Sequence, residues 1–190
     1  KQWKTTPEKI RNSFIGLFWD QDKAFLADFA DGARKSWDVR PNQIIAVSLR
    51  YSPLSDLMKR NVLYVVEKEL LTPRGLRSLS PKNKAYKGNC EGNENERSAR
   101  LHQGTAWPWL LGHYAEAKFN LDGNKALQEI QKIYSGFEAE MPEDGIGSIS
   151  EYYAGDPPYK AGGAISQAWN VAELLRMQWL INQNKNKKEE

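Results

Sequence analysis

Apolar residues recur along this chain at spacings of three and four, the period of an amphipathic helix, almost from end to end. A first helix is predicted to open at Thr6-Pro7, with proline early in the first turn, where its missing N–H costs nothing. Its apolar face is Ile10, Phe14, Leu17 and Phe18. A second begins near Pro41 and runs to Leu49, apolar on most sides and hence buried. Ser55 is a good N-cap for a third, which carries Leu57, Met58, Val62, Val65, Val66 and Leu70 inward and stops before Pro73. A fourth, from about Thr105, aligns Trp107, Leu110, Leu111, Tyr114 and Ala115 on one face. A fifth, about 124–140, shows Leu127, Ile130, Tyr134, Phe137 and Met141. A sixth follows Gly162-Gly163 and puts Ile165, Ala168, Trp169, Ala172, Leu175 and Trp179 on one face. Residues 1–181 read as one domain, and 182–190 as a polar tail.

The connections alternate: long over 20–40, 72–104 and 141–163, short over 51–54 and 122–124. Antiparallel helices joined in series send every second connection to the same end, so the three long loops should share one rim. Loops of that length in a compact domain usually carry function. The rim then holds Arg40, Asn42, Gln43, His102, Gln103, Trp107, Glu151 and Asp156. Within the first long loop, AFLADFAD (24–31) has the look of a short strand followed by a turn.

Composition narrows the chemistry. The 190 residues suffice for one domain that buries roughly 70% of its unfolded surface. No apolar run approaches the length of a membrane span, and no leader is visible. One cysteine, Cys90, excludes an internal disulfide framework and suits a reducing compartment, so a cytoplasmic location is expected. Two histidines with one cysteine are too few for a convincing metal site, and a net charge of +3 is too small and dispersed for nucleic acid. Seven tryptophans and eight tyrosines exceed what a core of this size needs. Aromatic faces exposed in a cleft suit saccharides, because the apolar face of a pyranose stacks on them.

Neither a nucleophile elbow nor a phosphate-binding glycine loop occurs, and Gly162-Gly163 reads better as a tight turn than as an anion cradle. Glu151 lies in GIGSISEYYAGDPP (145–158), where glycines and prolines shape the backbone around one acid and two tyrosines. Glycosidic cleavage uses two carboxyl groups, and this loop could present one of them; a solvated surface charge is the other reading. HQGTAWPW (102–109) sets a histidine and a glutamine beside two tryptophans, a set able to donate to, accept from and stack on a sugar. Trp107 could equally belong to the core. Arg40, Asn42 and Gln43 form a second polar group, either a buried network that holds the loop or a direct sugar contact.

Four strings, RPNQIIAVSL (40–49), ELLTPRGLRSLSP (69–81), HQGTAWPW (102–109) and GSISEYYAGDPPYKAGGAISQAWNVAELLR (147–176), resemble the C-terminal glucosidase domain of bacterial and archaeal glycogen debranching enzymes, the amylo-α-1,6-glucosidases. The resemblance implies an all-α fold, an (α/α)6 barrel with its active site on the long-loop face. With about six predicted helices, this chain would be the C-terminal half of that barrel. It further implies inverting hydrolysis of α-1,6-linked glucose at the branch points of a glycogen-like glucan. Glu151 would be the general base, with the general acid outside this chain and no cofactor or metal. Arg40, Asn42, Gln43, His102, Gln103, Gly104, Thr105 and Trp107 would line the glucose pocket, with Asp156 beside them. The partners expected are the branched α-glucan and either the other half of the barrel or a second copy against the exposed face; the isolated 190 residues would be inactive. Three positions depart from the family pattern: Ala154 stands where an aspartate is usual, Ala164 where a cysteine is, and Leu101 where a tyrosine is. From a different class, a non-catalytic carbohydrate-binding or interaction module on the same fold is the alternative; a solenoid would need an internal repeat, and none is present.

Overall fold

In the computed structural model, which describes residues 3–144 and 147–186, helices and short hairpins alternate. Helix α1 (Thr6–Phe18) starts on Pro7 as expected. Two small hairpins follow: β1 (Trp19–Asp20) with β2 (Phe25–Leu26), and β3 (Phe29–Asp31) with β4 (Arg34–Ser36). The strand signal in AFLADFAD is thus two strands rather than one, separated by Ala27 and Asp28. Helix α2 (Gln43–Ser48) leads to α3 (Asp56–Glu69), where the Ser55 side chain accepts the Met58 N–H.

Strands β5 (Leu71–Thr72) and β6 (Gly75–Arg77) precede α4 (Glu94–Arg100), a helix the apolar pattern does not show. Its start was nonetheless written in polar residues, because Asn93 and Glu96 form a reciprocal capping box. Strand β7 (Ala106–Trp107) comes next, then α5 (Leu110–Asp122), a 3-10 turn (Gly123–Ala126) and α6 (Leu127–Asp144). Strands β8 (Tyr152–Tyr153) and β9 (Ala161–Gly162) lead to α7 (Ala168–Asn186). Pairing is antiparallel throughout, and β5 to β9 form one five-stranded meander in chain order.

The meander corrects the expectation for residues 105–109. Trp107 is not in the first turn of a helix; it sits on β7 opposite Leu76 of β6, while Ala106 pairs with both Arg77 and Tyr153. Pairing with partners distant in sequence overrides the local helical spacing. The helix proper starts at Leu110, and it is the centre of the core: Leu110, Leu111, Tyr114, Ala115, Ala117 and Phe119 are all buried. It packs on α2 and α7, and α6 packs on α7.

Helix α7 buries a face other than the aromatic stripe. Its buried positions are Asn170, Leu174, Met177, Leu180, Ile181 and Asn184. The tryptophan stripe faces outward, with Trp169, Leu175 and Trp179 each more than half exposed. The helix is therefore apolar on two sides, and the more aromatic side is free of the core. The helix runs on through the described part of the polar tail, 182–190, where Asn184 is buried and donates to the Leu180 carbonyl. Residues 187–190 of that tail lie outside the described residues.

Candidate active site

The first two long connections meet at a cleft, and the third, over 141–163, reaches it through the contact of Tyr152 with Trp107. Asp28, Arg40, Pro41, Asn42, Ser78, His102, Trp107, Trp109 and Leu110 line a cleft of about 350 Å³. That volume is within the range of roughly 300–1,000 Å³ usual for small-molecule sites.

Arg40 sits at its base as a clamp. One guanidinium nitrogen donates to the carbonyls of Ser78 (3.0 Å) and His102 (2.7 Å), and the other to Gln103 Oε1 at 3.1 Å. Its Nε faces the Asp28 carboxylate at 3.6 Å. Arginine has five donors in a rigid fork, and here they are directed at protein acceptors from two of the long connections, 20–40 and 72–104. Of the two readings open for this residue, a network that holds the loops fits its contacts. Gln43 works the same way: it is buried, and its amide N–H donates to the Arg40 carbonyl at 3.0 Å. Asn42 is exposed on the cleft, with Nδ2 donating to Asp28 Oδ1 at 2.7 Å.

The aromatic wall is positioned from below. Buried Thr105 accepts the Trp107 indole N–H at 3.0 Å and donates to the Leu101 carbonyl, which fixes the indole plane. His102 stacks on that indole, with centroids 5.2 Å apart and planes 19° apart. On another side, Tyr152 tilts against it at 5.9 Å. Burial, then the Cys90 thiol and the negative charge of Glu151, push the Tyr152 phenol up to about 12. It is therefore a neutral hydroxyl in ordinary conditions. Gly104 has a positive φ of 145°, and a Cβ there would lie 2.6 Å from the Tyr86 ring.

Glu151 neighbours this wall through Tyr152 but does not line the cleft. Its Oε2 accepts the Ala164 N–H at 3.0 Å, and its own N–H donates to the Ala164 carbonyl at 2.8 Å. Gly163, at φ 75°, makes this possible, because a Cβ there would fall 2.4 Å from Glu151 Oε2. The glycine turn thus cradles an anion after all, and the anion is the chain's own carboxylate. Asn170 at the start of α7 holds the same loop, donating to the carbonyls of Ser150 (2.6 Å) and Glu151 (2.9 Å) while accepting the Trp109 N–H at 3.0 Å.

Asp156 is elsewhere: it accepts the Tyr86 hydroxyl at 2.8 Å and lies against Gly88. Burial and that bond push the Tyr86 phenol up to about 12. Of the residues expected at the site, the cleft collects Arg40, Asn42, His102 and Trp107. Gln43, Gln103, Gly104 and Thr105 support it from behind, and Glu151 stands one residue from its wall. The sequence reading named neither Asp28 nor Ser78; it counted Trp109 in the aromatic pair of HQGTAWPW and Tyr152 among the two tyrosines of the Glu151 loop, without naming either as a site residue. Asp28 falls in the gap between two strands read as one, and Ser78 contributes mainly a backbone carbonyl.

The architecture has a counterpart among solved structures. Neutral trehalase Nth1 from Saccharomyces cerevisiae superposes with a TM-score of 0.68 over 97% of this chain at 11% sequence identity. This chain spans 32% of that protein's length. The fold is that of the (α/α)6 barrels, of which these helices make up a part, and the domain is of the glycoside-hydrolase type. More specifically, residues 1–176 match the amylo-alpha-1,6-glucosidase family, and the chain belongs to it.

Proposed function

We propose that this chain forms the sugar-holding side of an enzyme that removes single α-1,6-linked glucose residues from the branch points of a glycogen-like α-glucan, with inversion. The observation that carries the reading is the contact between Tyr152 and Trp107, which sets the loop bearing Glu151 against the aromatic wall of the cleft. In this reading Trp109 stacks on the terminal glucose, Trp107, buried beneath His102, backs the wall, His102 and Asn42 meet the sugar hydroxyls, and Gln43, Gln103, Gly104 and Thr105 hold those groups in place. Glu151, kept by Ala164 on one oxygen, deprotonates the attacking water with the other. An acid from outside these 190 residues protonates the leaving oxygen, at the separation of roughly 6.5–9.5 Å that leaves room for a water between the two carboxyls. Asp156 then shapes the loop through Tyr86 instead of meeting the sugar.

The outward aromatic stripe on α7 and the exposed Ile10 and Leu17 of α1 support a further part of the reading. These faces belong against the other half of the barrel, with self-association as their alternative cover, and the cytoplasm is the compartment proposed. No described helix is long and apolar enough to cross a membrane.

The test is release of free glucose from a branched limit dextrin by the intact protein and by Glu151→Gln. A lost general base lowers turnover by about 10²–10⁴-fold. Dextrin binding should survive the substitution. Full activity of E151Q removes Glu151 from the mechanism. Dextrin binding without any glucose release by the intact protein selects the non-catalytic carbohydrate-binding module.

A further inference from the structure

We infer that Asp28, from the bend between the two N-terminal hairpins, is the hydroxyl-binding carboxylate of the cleft and selects for a pyranose with adjacent hydroxyl groups. The inference rests on the saccharide reading of the cleft and adds to it a residue that neither motif nor resemblance named.

The first argument is one of elimination among the polar groups that line the cleft. Arg40 directs its terminal nitrogens at Ser78, His102 and Gln103. The Ser78 and His102 carbonyls are occupied by that same guanidinium. Asn42 has given its Nδ2 to Asp28. Ser78 Oγ takes the Gly104 N–H at 2.9 Å, so what the cleft still offers a ligand is the acceptor capacity of the Asp28 carboxylate and the Asn42 amide oxygen, with the His102 ring and the Trp109 indole N–H beside them.

The second argument is capacity. A carboxylate has about four lone-pair sites and accepts only. At Asp28 one is taken by Asn42 at 2.7 Å. The Arg40 Nε stands 3.6 Å from Oδ2, longer than a normal N–H···O bond, so it supplies charge more than a hydrogen bond. The carboxylate therefore keeps lone pairs for two O–H donors, and adjacent ring hydroxyls supply two donors from one side. Its side chain is 14% exposed, so these bonds form away from bulk water and are charge-assisted.

The third argument is rigidity. The Ala27 N–H bonds the Phe18 carbonyl at 2.8 Å, and the Asp28 N–H bonds the Ser36 carbonyl at 3.0 Å. Both sides of the bend are pinned, and Asn42 and Arg40 fix the side chain from the opposite lip. The half-buried indole of Trp109 borders the same space and offers a surface for the apolar ring face, with Trp107 buried behind it.

The experiment titrates the intact protein with D-glucose and with its monodeoxy analogues, and repeats the titrations on Asp28→Asn and Asp28→Glu. For the unaltered protein, at least one deoxy-glucose should bind ten-fold or more weakly than glucose. Asp28→Asn keeps an oxygen for the Asn42 N–H, so its melting temperature should hold. It should bind glucose about ten-fold more weakly and lose the discrimination between glucose and that analogue. Asp28→Glu restores the charge beside Arg40 but moves the oxygens by a methylene, so it should not restore glucose affinity. Full recovery by Asp28→Glu, or an equal loss for glucose and every analogue in Asp28→Asn, would make Asp28 a structural counter-ion and overturn the inference. Absence of glucose binding by the unaltered protein overturns it together with the saccharide reading. The turnover of E151Q is a separate measurement, so the base assignment can fail while the deoxy-sugar pattern stands.

Discussion

Two cations sit in acceptor cages at opposite ends of α5, and they differ in what surrounds them. Lys118, near the C-terminal end, is shared by the carboxylates of Glu67 (2.8 Å), Glu129 (3.1 Å) and Asp122 (3.6 Å), and the Tyr114 hydroxyl donates to two of these. Arg60 ties the same Asp122 to α3 at 2.7 Å. Those partners are side chains on helices, and their charges satisfy one another. Arg40, near the N-terminal end, is bound mostly by backbone carbonyls and an amide from loops. It brings connections together and leaves a carboxylate at the edge of a hollow. A dense charge cluster is thus no mark of a site by itself; what distinguishes the end with the cleft is that its cation fixes loops and stands beside a carboxylate with lone pairs to spare.

The comparison can be broken most forcefully with paired variants. Arg40→Met leaves two carbonyls and Asp28 without their partner and should cost about 3 kcal/mol, with loss of sugar binding. Lys118→Met should cost about 2 kcal/mol, less than a fully buried pair because Glu67 and Glu129 reach solvent, and should leave sugar affinity unchanged. Denaturant midpoints and glucose titrations on the two variants read both effects. Impaired sugar binding in Lys118→Met would dissolve the division between the ends.

A finer cut is Gly163→Ala. The positive φ should cost about 1 kcal/mol, while the new Cβ pushes the Glu151 carboxylate from its seat. Turnover should therefore fall with KM little changed. A variant with normal turnover would show that the Ala164 contact is irrelevant to Glu151.

The smallest expected effect concerns His113, whose Nδ1 lies 2.8 Å from the Ser48 hydroxyl and whose ring meets Trp109 edge-on. Burial, then the Arg176 charge, holds its pKa below the usual 6.5. The folded chain keeps the ring neutral while the unfolded chain takes up the proton first. Stability from this group is therefore fully present above pH 6.5 and is lost as pH falls toward the folded value. Unfolding free energies from urea titrations at pH 7.5 and 5.5 should differ by less than about 1 kcal/mol from this source. A His113→Gln variant should lack that difference.

Much of the fold was legible because helix signals are local. Pro7 started α1, Ser55 capped α3, and Leu127, Ile130 and Phe137 marked α6. What escaped depends on partners far along the chain. Trp107 read as helical because its spacing to Leu110 and Leu111 is helical, whereas Leu76 and Tyr153 hold its segment in a sheet. On α7 the stripe of Trp169 and Trp179 is one face as read, but it lies outward, and the core side escaped notice because it includes Asn170 and Asn184, polar residues that bond backbone carbonyls. At the site, the rim was predictable from loop lengths and the family strings, and the wall residues His102 and Trp107 with it. The division of labour was not: whether an arginine touches ligand or loop depends on which carbonyls lie within 3 Å of it.

The meander has a consequence in time. Its strands are two or three residues long, too short to persist unaided, and β6, β7 and β8 meet one another across long connections. The docking of α5 on α2 and on α7 closes segments at least as long, so neither the ladder nor the helix packing is a local event. The wall that carries Trp107 should therefore assemble together with the core, and refolding should return its aromatic signal in the same phase as the packing of α5.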